Sequence, residues 1–192
     1  MMRYILAGII FLMAVTAGWM TFDWYRMQHA EAAYGAPFQL VDGSGQPISE
    51  QAFRGHPTAL FFGFTHCPDV CPTTLAEMDG WLKTLGDEGK DIHAYFVTVD
   101  PERDTPQIMK DYVANVSDRI TGISGEPAKI DQMIKDFNIF ARKVPTDDGD
   151  YTMDHTASVL LLGRQGQFFG TIAYGENSDT ALAKLKRLVK DG

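Results

Sequence analysis

Both cysteines of the chain lie in the segment "GFTHCPDVCPTTL" (residues 63–75), as Cys67 and Cys71, and each is followed by proline. On a helix, residues at this spacing share one face with Cα atoms roughly 6 Å apart, near the upper range for a disulfide. The same spacing brings two thiolates close enough to share one soft metal ion. A purely structural disulfide would close a very small loop and stabilise the fold little. The pair is therefore typical of thiol–disulfide exchange or metal binding.

A metal would need further ligands, and the chain has five histidines. His29 lies in a predicted linker, whereas His56 precedes a proline and His93 opens a strand, so these three are interpreted as ordinary surface or edge residues. His66 adjoins Cys67, but alternation along an extended segment points its side chain to the opposite face. It is interpreted as a spectator or as a residue that supports the ligands.

Strand-like and helical patterns alternate along the chain. The continuous apolar runs Thr58–Thr65 and Ile92–Val99 are typical of buried parallel strands, and the cysteines lie between the first run and a helix. Two short runs around an Asp-Gly-Ser-Gly turn predict an N-terminal hairpin, and "SVLLL" and "QFFGTIAY" predict another before a terminal helix. This order predicts a thioredoxin-like α/β sandwich with an N-terminal β-hairpin extension.

The position of His155 makes it the best candidate for a third ligand. It lies 84 residues after Cys71 (155 − 71), where the acidic segment Ala141–Thr156 meets the "TASVLLL" strand. In a thioredoxin-like sheet, the segment before that strand passes beside the cysteine motif. We predict a long loop for the acidic segment, and loops of this length usually have a function. Two thiolates and one imidazole suit soft Cu(I), whereas Zn(II) usually takes four ligands.

Other polar residues near these motifs have plainer interpretations. Asp69, between the cysteines, either tunes the charge of the site and orients His155 or bonds nearby amides. Asp100, Arg103 and Asp104 are predicted to form a turn and a helix cap. Met153 offers a thioether, but core packing or exposure is the favoured interpretation.

The N-terminus contains an uncharged run of 19 residues, Tyr4–Phe22. As a helix it would span roughly 28 Å, about the hydrocarbon thickness of a bilayer. Arg3 precedes the run, which favours a cytoplasmic N-terminus and an outward-facing domain. A cleavable signal peptide ending at Ala30-Glu31-Ala32 is the alternative. We predict a cytoplasmic tail (1–3), an uncleaved transmembrane anchor (4–22), a linker (23–36) and one thioredoxin-like copper-binding domain (37–192).

Composition and targeting signals limit the number of domains, the class of partner and the cellular location. A chain of 192 residues with 45% hydrophobic residues holds one ordinary domain beyond its anchor. The formal net charge of −8 and the absence of a basic stripe argue against nucleic acid as a partner. An Arg- and Ser-rich presequence is missing, so a bacterial inner membrane with the domain in the periplasm is predicted, where the thiols meet an oxidising environment.

Three segments, "GFTHCPDVCPTTL", "VTVDPERDTP" and "DHTASVLLL", in this order after an N-terminal anchor, resemble the Sco/SenC family of copper proteins. The resemblance covers the chain from Phe38 to its C-terminus. It implies a membrane-tethered, thioredoxin-fold metallochaperone that binds a copper ion through Cys67, Cys71 and His155. It also implies a role in assembling the dinuclear copper site of cytochrome c oxidase subunit II. An outward-facing site would need a copper donor and a thioredoxin-like reductant as further partners.

Two other functions stay open at this point. The Cys67–Cys71 pair would serve as the redox-active pair if the protein were a thiol–disulfide oxidoreductase that keeps partner cysteines reduced. The three-residue spacer and the absence of proline in "DHTASV" favour metal binding over general exchange. The second is a peroxidase function, which is suggested only by analogy with other proteins of this fold. No enzymatic activity is predicted beyond possible thiol–disulfide reduction.

Overall fold

The computed structural model describes residues 2–29, 33–147 and 149–192, which form two compact units. The first consists of helix α1 (Met2–His29). Within it, Tyr4–Phe22 has a mean hydropathy of 2.1 and is long and apolar enough to cross a membrane, a test that a signal sequence also passes. Residues 23–29, assigned above to a linker, continue this helix, because they include neither glycine nor proline to end it.

The second unit begins at Ala33 and contains the remaining elements. Its strands are β1 (Gln39–Asp42), β2 (Pro47–Ser49), β3 (Thr58–Gly63), β4 (His93–Thr98), β5 (Ile120–Ser124), β6 (Ala141–Pro145), β7 (Tyr151–His155), β8 (Val159–Leu162) and β9 (Phe168–Ile172). Its α-helices are α2 (Val70–Thr84), α3 (Asp87–Lys90), α4 (Pro106–Ala114), α5 (Pro127–Asp136) and α6 (Ser178–Asp191). A 3-10 turn over Glu50–Phe53 follows β2.

Seven of the described strands form one mixed sheet in the order β2-β1-β5-β4-β3-β8-β9. Strands β3, β4 and β5 are parallel neighbours, as expected for strands connected through helices. The β1–β2 hairpin joins β5 at one side of the sheet, and the β8–β9 hairpin joins β3 at the other. Both predicted hairpins are present in this part of the chain.

Strand β3 lies inside the sheet between β4 and β8 and leads directly to the cysteines. All of its residues are buried, and since successive side chains point to opposite faces, both faces of the sheet are covered. Leu75, Met78 and Leu82 on one side of α2 are also buried. Burying each such side chain contributes about 1.5–3 kcal/mol, so the end of β3 is held firmly against the start of α2.

The acidic segment 141–156 is a hairpin, and the prediction of a long loop is wrong. Strands β6 and β7 pair antiparallel from Ala141 with His155 to Pro145 with Tyr151. A tight turn joins them, in which the Thr146 amide donates to the Asp150 carbonyl and Gly149 adopts a φ of +85°. A Gly-containing turn between two short strands is a hairpin signal, but the many charges in this segment obscured it.

Candidate metal centre

The two cysteines are placed by the passage from strand β3 into helix α2. Cys67 lies in the connecting segment and is half-buried, whereas Cys71 lies in the first turn of α2 and is fully buried. Gly63, the last residue of β3, leaves room for this arrangement, because a Cβ atom there would lie 2.7 Å from Cys71 Sγ. Both cysteines are free thiols.

His155 ends strand β7, and its ring is oriented by aromatic neighbours and one hydrogen bond. The imidazole meets the rings of Phe61 and Phe64 edge-on, with centroid distances of 6.1 and 5.8 Å. Its Nδ1 lies 2.9 Å from the carbonyl oxygen of Thr156. A carbonyl only accepts, so Nδ1 is the donor, and in the neutral ring Nε2 then carries the free lone pair. Metal-binding histidines are commonly held in this way.

The lone pair of His155 is directed toward the thiols. Its Nε2 lies 3.5 Å from Cys71 Sγ, and the ligand atoms of Cys67, Cys71 and His155 all lie within 4.8 Å of one another. A single ion placed among these atoms would contact two sulfurs and one nitrogen. Such a soft, three-ligand set suits Cu(I) and provides one ligand fewer than a structural Zn(II) site.

The pKa values of the two thiols are shifted in opposite directions. A hydrogen bond from the Cys71 side chain is the main cause that lowers the pKa of Cys67 to about 4. Burial opposes this shift, whereas the His155 side chain and the amides of Cys71 and Asp69 add to it. The Cys71 amide nitrogen lies 3.3 Å from Cys67 Sγ. The pKa of Cys71 is raised, because its thiol is the donor to Cys67 and because it is buried. Without metal, Cys67 is therefore the thiolate and Cys71 the thiol.

This difference predicts selective alkylation of the reduced, metal-free chain. Since the pKa of Cys67 lies near 4, iodoacetamide should modify Cys67 at a rate that changes little from about pH 6 to about pH 8. An ordinary thiol would react roughly tenfold faster for each pH unit in this range. Peptide mass spectrometry gives the rate at each cysteine. Equal rates at Cys67 and Cys71, or a steep rise for Cys67 toward pH 8, would contradict the assignment.

The other candidate residues lie outside the three-residue cluster. The His66 side chain is 52% exposed, and its Nδ1 lies 3.2 Å from the hydroxyl of Thr65. The Asp69 carboxylate lies 3.4 Å from the Thr73 hydroxyl and caps no backbone amide at the start of α2. Met153 packs half-buried against the core.

The remaining histidines lie away from the thiols or lack a described side chain. The rings of His56 and His93 stack with a centroid distance of 3.5 Å where β3 and β4 begin, whereas the cysteines follow the other end of β3. The side chain of His29 lies outside the described residues. Within the described part of the chain, His155 is thus the histidine that the fold brings to the cysteines.

Asp104 is a supporting residue that the sequence analysis assigned to a turn or helix cap. The helix cap is Thr105, whose hydroxyl accepts from the Ile108 amide. Asp104 is fully buried, and its carboxylate accepts from the amide and hydroxyl of Thr65 and from the hydroxyl of Thr98, at 3.1, 2.5 and 2.7 Å. It therefore fixes the segment that leads into Cys67. No local sequence pattern distinguishes an aspartate with this buried role from one that caps a helix.

Fold and site together define a class of protein: a thioredoxin-like α/β domain with a cysteine–histidine centre at the end of the buried strand β3. The family model described as SCO1/SenC matches residues 26–190. The chain belongs to this family, as the three sequence segments predict.

Two relatives illustrate the similarity. The SCO2-like protein of Rickettsia prowazekii is 35% identical over 136 residues, which are 70% of this chain and 66% of that protein. The structure of Bradyrhizobium japonicum ScoI with copper bound is 46% identical, covers 81% of this chain and 99% of that chain, and has a TM-score of 0.75. Its likeness confirms the predicted thioredoxin-like fold. The chain spans 44–67% of the length of several curated relatives.

A third relative connects the family with a cellular process. BsSco is described as a member of the Sco family of cytochrome c oxidase assembly proteins in which a disulfide switch was identified. It is 25% identical, covers 85% of this chain and 98% of that chain, and has a TM-score of 0.65.

Proposed function

We propose that this protein is a copper metallochaperone that holds one copper ion through Cys67, Cys71 and His155. The observation that carries the proposal is the convergence of these three ligand atoms within 4.8 Å, in a chain of the SCO1/SenC family. A transfer protein must also release its ion. Three ligands, one of them on a half-buried cysteine, leave a position open for an incoming ligand, whereas a closed four-ligand site would exchange slowly.

The proposed recipient is the dinuclear copper site of cytochrome c oxidase subunit II. Support comes from membership of a family that includes copper-bound ScoI and the oxidase assembly protein BsSco. Copper loads only onto reduced thiols, so a copper donor and a thioredoxin-like reductant are the other proposed partners.

A transfer assay tests this function. The reduced full chain, purified in detergent and loaded with one equivalent of Cu(I), is mixed without oxygen with copper-free subunit II, and the two are separated before copper is measured. Movement of copper to subunit II faster than from a Cu(I)–glutathione control is expected. Copper that stays on the donor, or that moves no faster than from glutathione, would contradict delivery.

The proposed location is a bacterial inner membrane, with the domain in the periplasm. The apolar part of α1, Tyr4–Phe22, supports an anchor by its length and hydropathy. We expect the anchor to stay on the protein, because its apolar run is longer than the core of a usual signal peptide. N-terminal sequencing of the membrane-extracted protein should find Met1 or Met2. A mature sequence that begins near Ala33 would instead show a cleaved signal peptide.

The low pKa of Cys67 supports a second candidate, thiol–disulfide exchange. A thiolate is the attacking species, and Cys71 is close enough to resolve a mixed disulfide. This activity would not need the imidazole as a ligand. Reduction of an oxidised partner at full rate by His155→Ala, combined with unchanged copper affinity, would favour exchange as the main function.

A further inference from the structure

The β6–β7 hairpin carries His155, yet strand pairing does not tie it to the main sheet, and its side chains Ala141 and Met153 pack only half-buried against the core. Its strands pair only with each other in the described part of the chain and form a separate two-stranded sheet. None of the residues in β6 or β7 is fully buried. Polar contacts therefore add to this packing, and to the ring contacts of His155, in fixing the distance between the hairpin and the cysteines.

Three residues make the principal polar connection, which we call the Asp100–Arg103–Tyr151 clamp. Tyr151 opens strand β7, and its hydroxyl donates to the Asp100 carboxylate at 2.8 Å. Arg103 Nε donates to the same carboxylate, and Arg103 Nη1 donates to the carbonyl oxygen of Tyr151 at 2.9 Å. The guanidinium also lies 3.8 Å from the centroid of the Tyr151 ring. Each residue of the clamp thus contacts the other two.

Burial makes the clamp stronger than the other polar contacts of the hairpin. The side chain of Asp100 is fully buried and that of Arg103 is 17% exposed, so their charge-assisted bonds are shielded from water. A buried carboxylate that lost one of these partners would have too few hydrogen bonds to compensate for its removal from water. By contrast, the ion pair of Lys143 with Glu102 is exposed, and such pairs contribute little.

We propose that the clamp positions His155 for metal binding, so that Asp100, Arg103 and Tyr151 act on copper affinity without touching the metal. Strand β7 runs without interruption from Tyr151 to His155, and four residues of extended chain span only ~13 Å. A shift of Tyr151 is therefore transmitted along the strand to the imidazole, whose Nε2 lies 3.5 Å from Cys71 Sγ. The inference rests on the proposed function. It also adds a tertiary role to Asp100 and Arg103, whose predicted turn is present, since the amides of Arg103 and Asp104 donate to the Asp100 carbonyl.

Two substitutions remove the clamp to different extents. Tyr151→Phe removes only the hydroxyl and keeps the ring, whereas Arg103→Gln removes the guanidinium. We expect the affinity of the reduced full chain for Cu(I), measured in detergent against a competing chelator, to fall about 10- to 100-fold, as for other residues that orient metal ligands. Arg142→Gln is the matched control, because Arg142 pairs with exposed Asp154 within the hairpin itself. The control should keep its affinity.

A double-mutant cycle separates positioning from general damage to the fold. If the clamp acts through His155, Tyr151→Phe and Arg103→Gln should cause no further loss of affinity in a His155→Ala background. An equal loss with and without His155 would overturn the proposal, as would unchanged affinity in both single variants. Should Arg103→Gln fail to fold, Tyr151→Phe carries the test.

A readout without metal distinguishes failure of this inference from failure of the proposed function. In the copper-free chain, nitrogen NMR of His155 should show protonated Nδ1, held by the Thr156 carbonyl. In Tyr151→Phe we expect the Nε2 signal to shift, because the strand that carries the imidazole is no longer held at the same distance from the Cys71 thiol. A wild-type chain that binds no copper would refute the proposed function alone. An unchanged Nε2 signal in both clamp variants would refute positioning.

Discussion

Oxidation of Cys67 and Cys71 to a disulfide is expected to abolish tight copper binding. The thiolates are the soft ligands of the proposed site, and disulfide formation removes both as donors at once. The two sulfurs lie within 4.8 Å of each other, and the spacing of the cysteines is within the range that a disulfide allows. An oxidant such as diamide accepts the two electrons and two protons that the thiols lose.

The measurement is copper per chain after gel filtration of the full chain, reduced or oxidised, in the presence of a competing chelator. Reduced protein should retain one copper and oxidised protein none. Oxidation is verified by the loss of two hydrogens from the intact mass, and re-reduction under argon should restore binding. Retention of copper by protein whose disulfide is confirmed would contradict the proposed ligands.

Substitution of His155 by alanine should weaken Cu(I) binding by at least ~100-fold, more than the loss of a residue that only orients a ligand. The fold should change little. His155 lies at the end of the β6–β7 hairpin and is half-buried, so the substitution opens no large core cavity, and we expect the free energy of unfolding to change by less than about 1 kcal/mol. Chelator competition and thermal unfolding of the metal-free chain give the two values.

His66→Ala is the matched control for this substitution. His66 is the immediate neighbour of Cys67, but its ring is exposed, contacts the Thr65 hydroxyl and is not part of the three-residue cluster. Copper affinity should therefore stay at the wild-type level. A large defect in His66→Ala with none in His155→Ala would mean that the wrong histidine has been assigned to the metal.

The parts of the site that the sequence predicted are those controlled by local patterns. The apolar run of β3, the cysteine spacing and the helix that follows all depend on neighbouring residues, and together they predict the position of both thiols. His155 was also found from sequence, because the order of strands in a thioredoxin-like sheet places its segment beside the cysteines. In each case the residue lies at the end or the beginning of a strand or helix that the sequence predicts.

The contacts that hold the site in place were not predictable in the same way. Asp100 and Tyr151 are 51 residues apart and Asp104 is 39 residues from Thr65, and no periodicity links the members of either pair. Single aspartates after a strand are common in turns and helix caps, so the local pattern favours that interpretation. The β6–β7 hairpin was missed for a related reason, since its charged residues resemble those of a loop. Tertiary structure alone reveals these roles.

The ligand set of the bound metal tests the central claim most directly. X-ray absorption at the copper edge, on reduced full chain loaded with one equivalent of Cu(I), reports the number and type of atoms bound to the ion. We predict two sulfurs and one imidazole nitrogen, with the nitrogen signal lost in His155→Ala and kept in His66→Ala. A spectrum of the wild-type chain that lacks either the two sulfurs or the nitrogen would contradict a site formed by Cys67, Cys71 and His155.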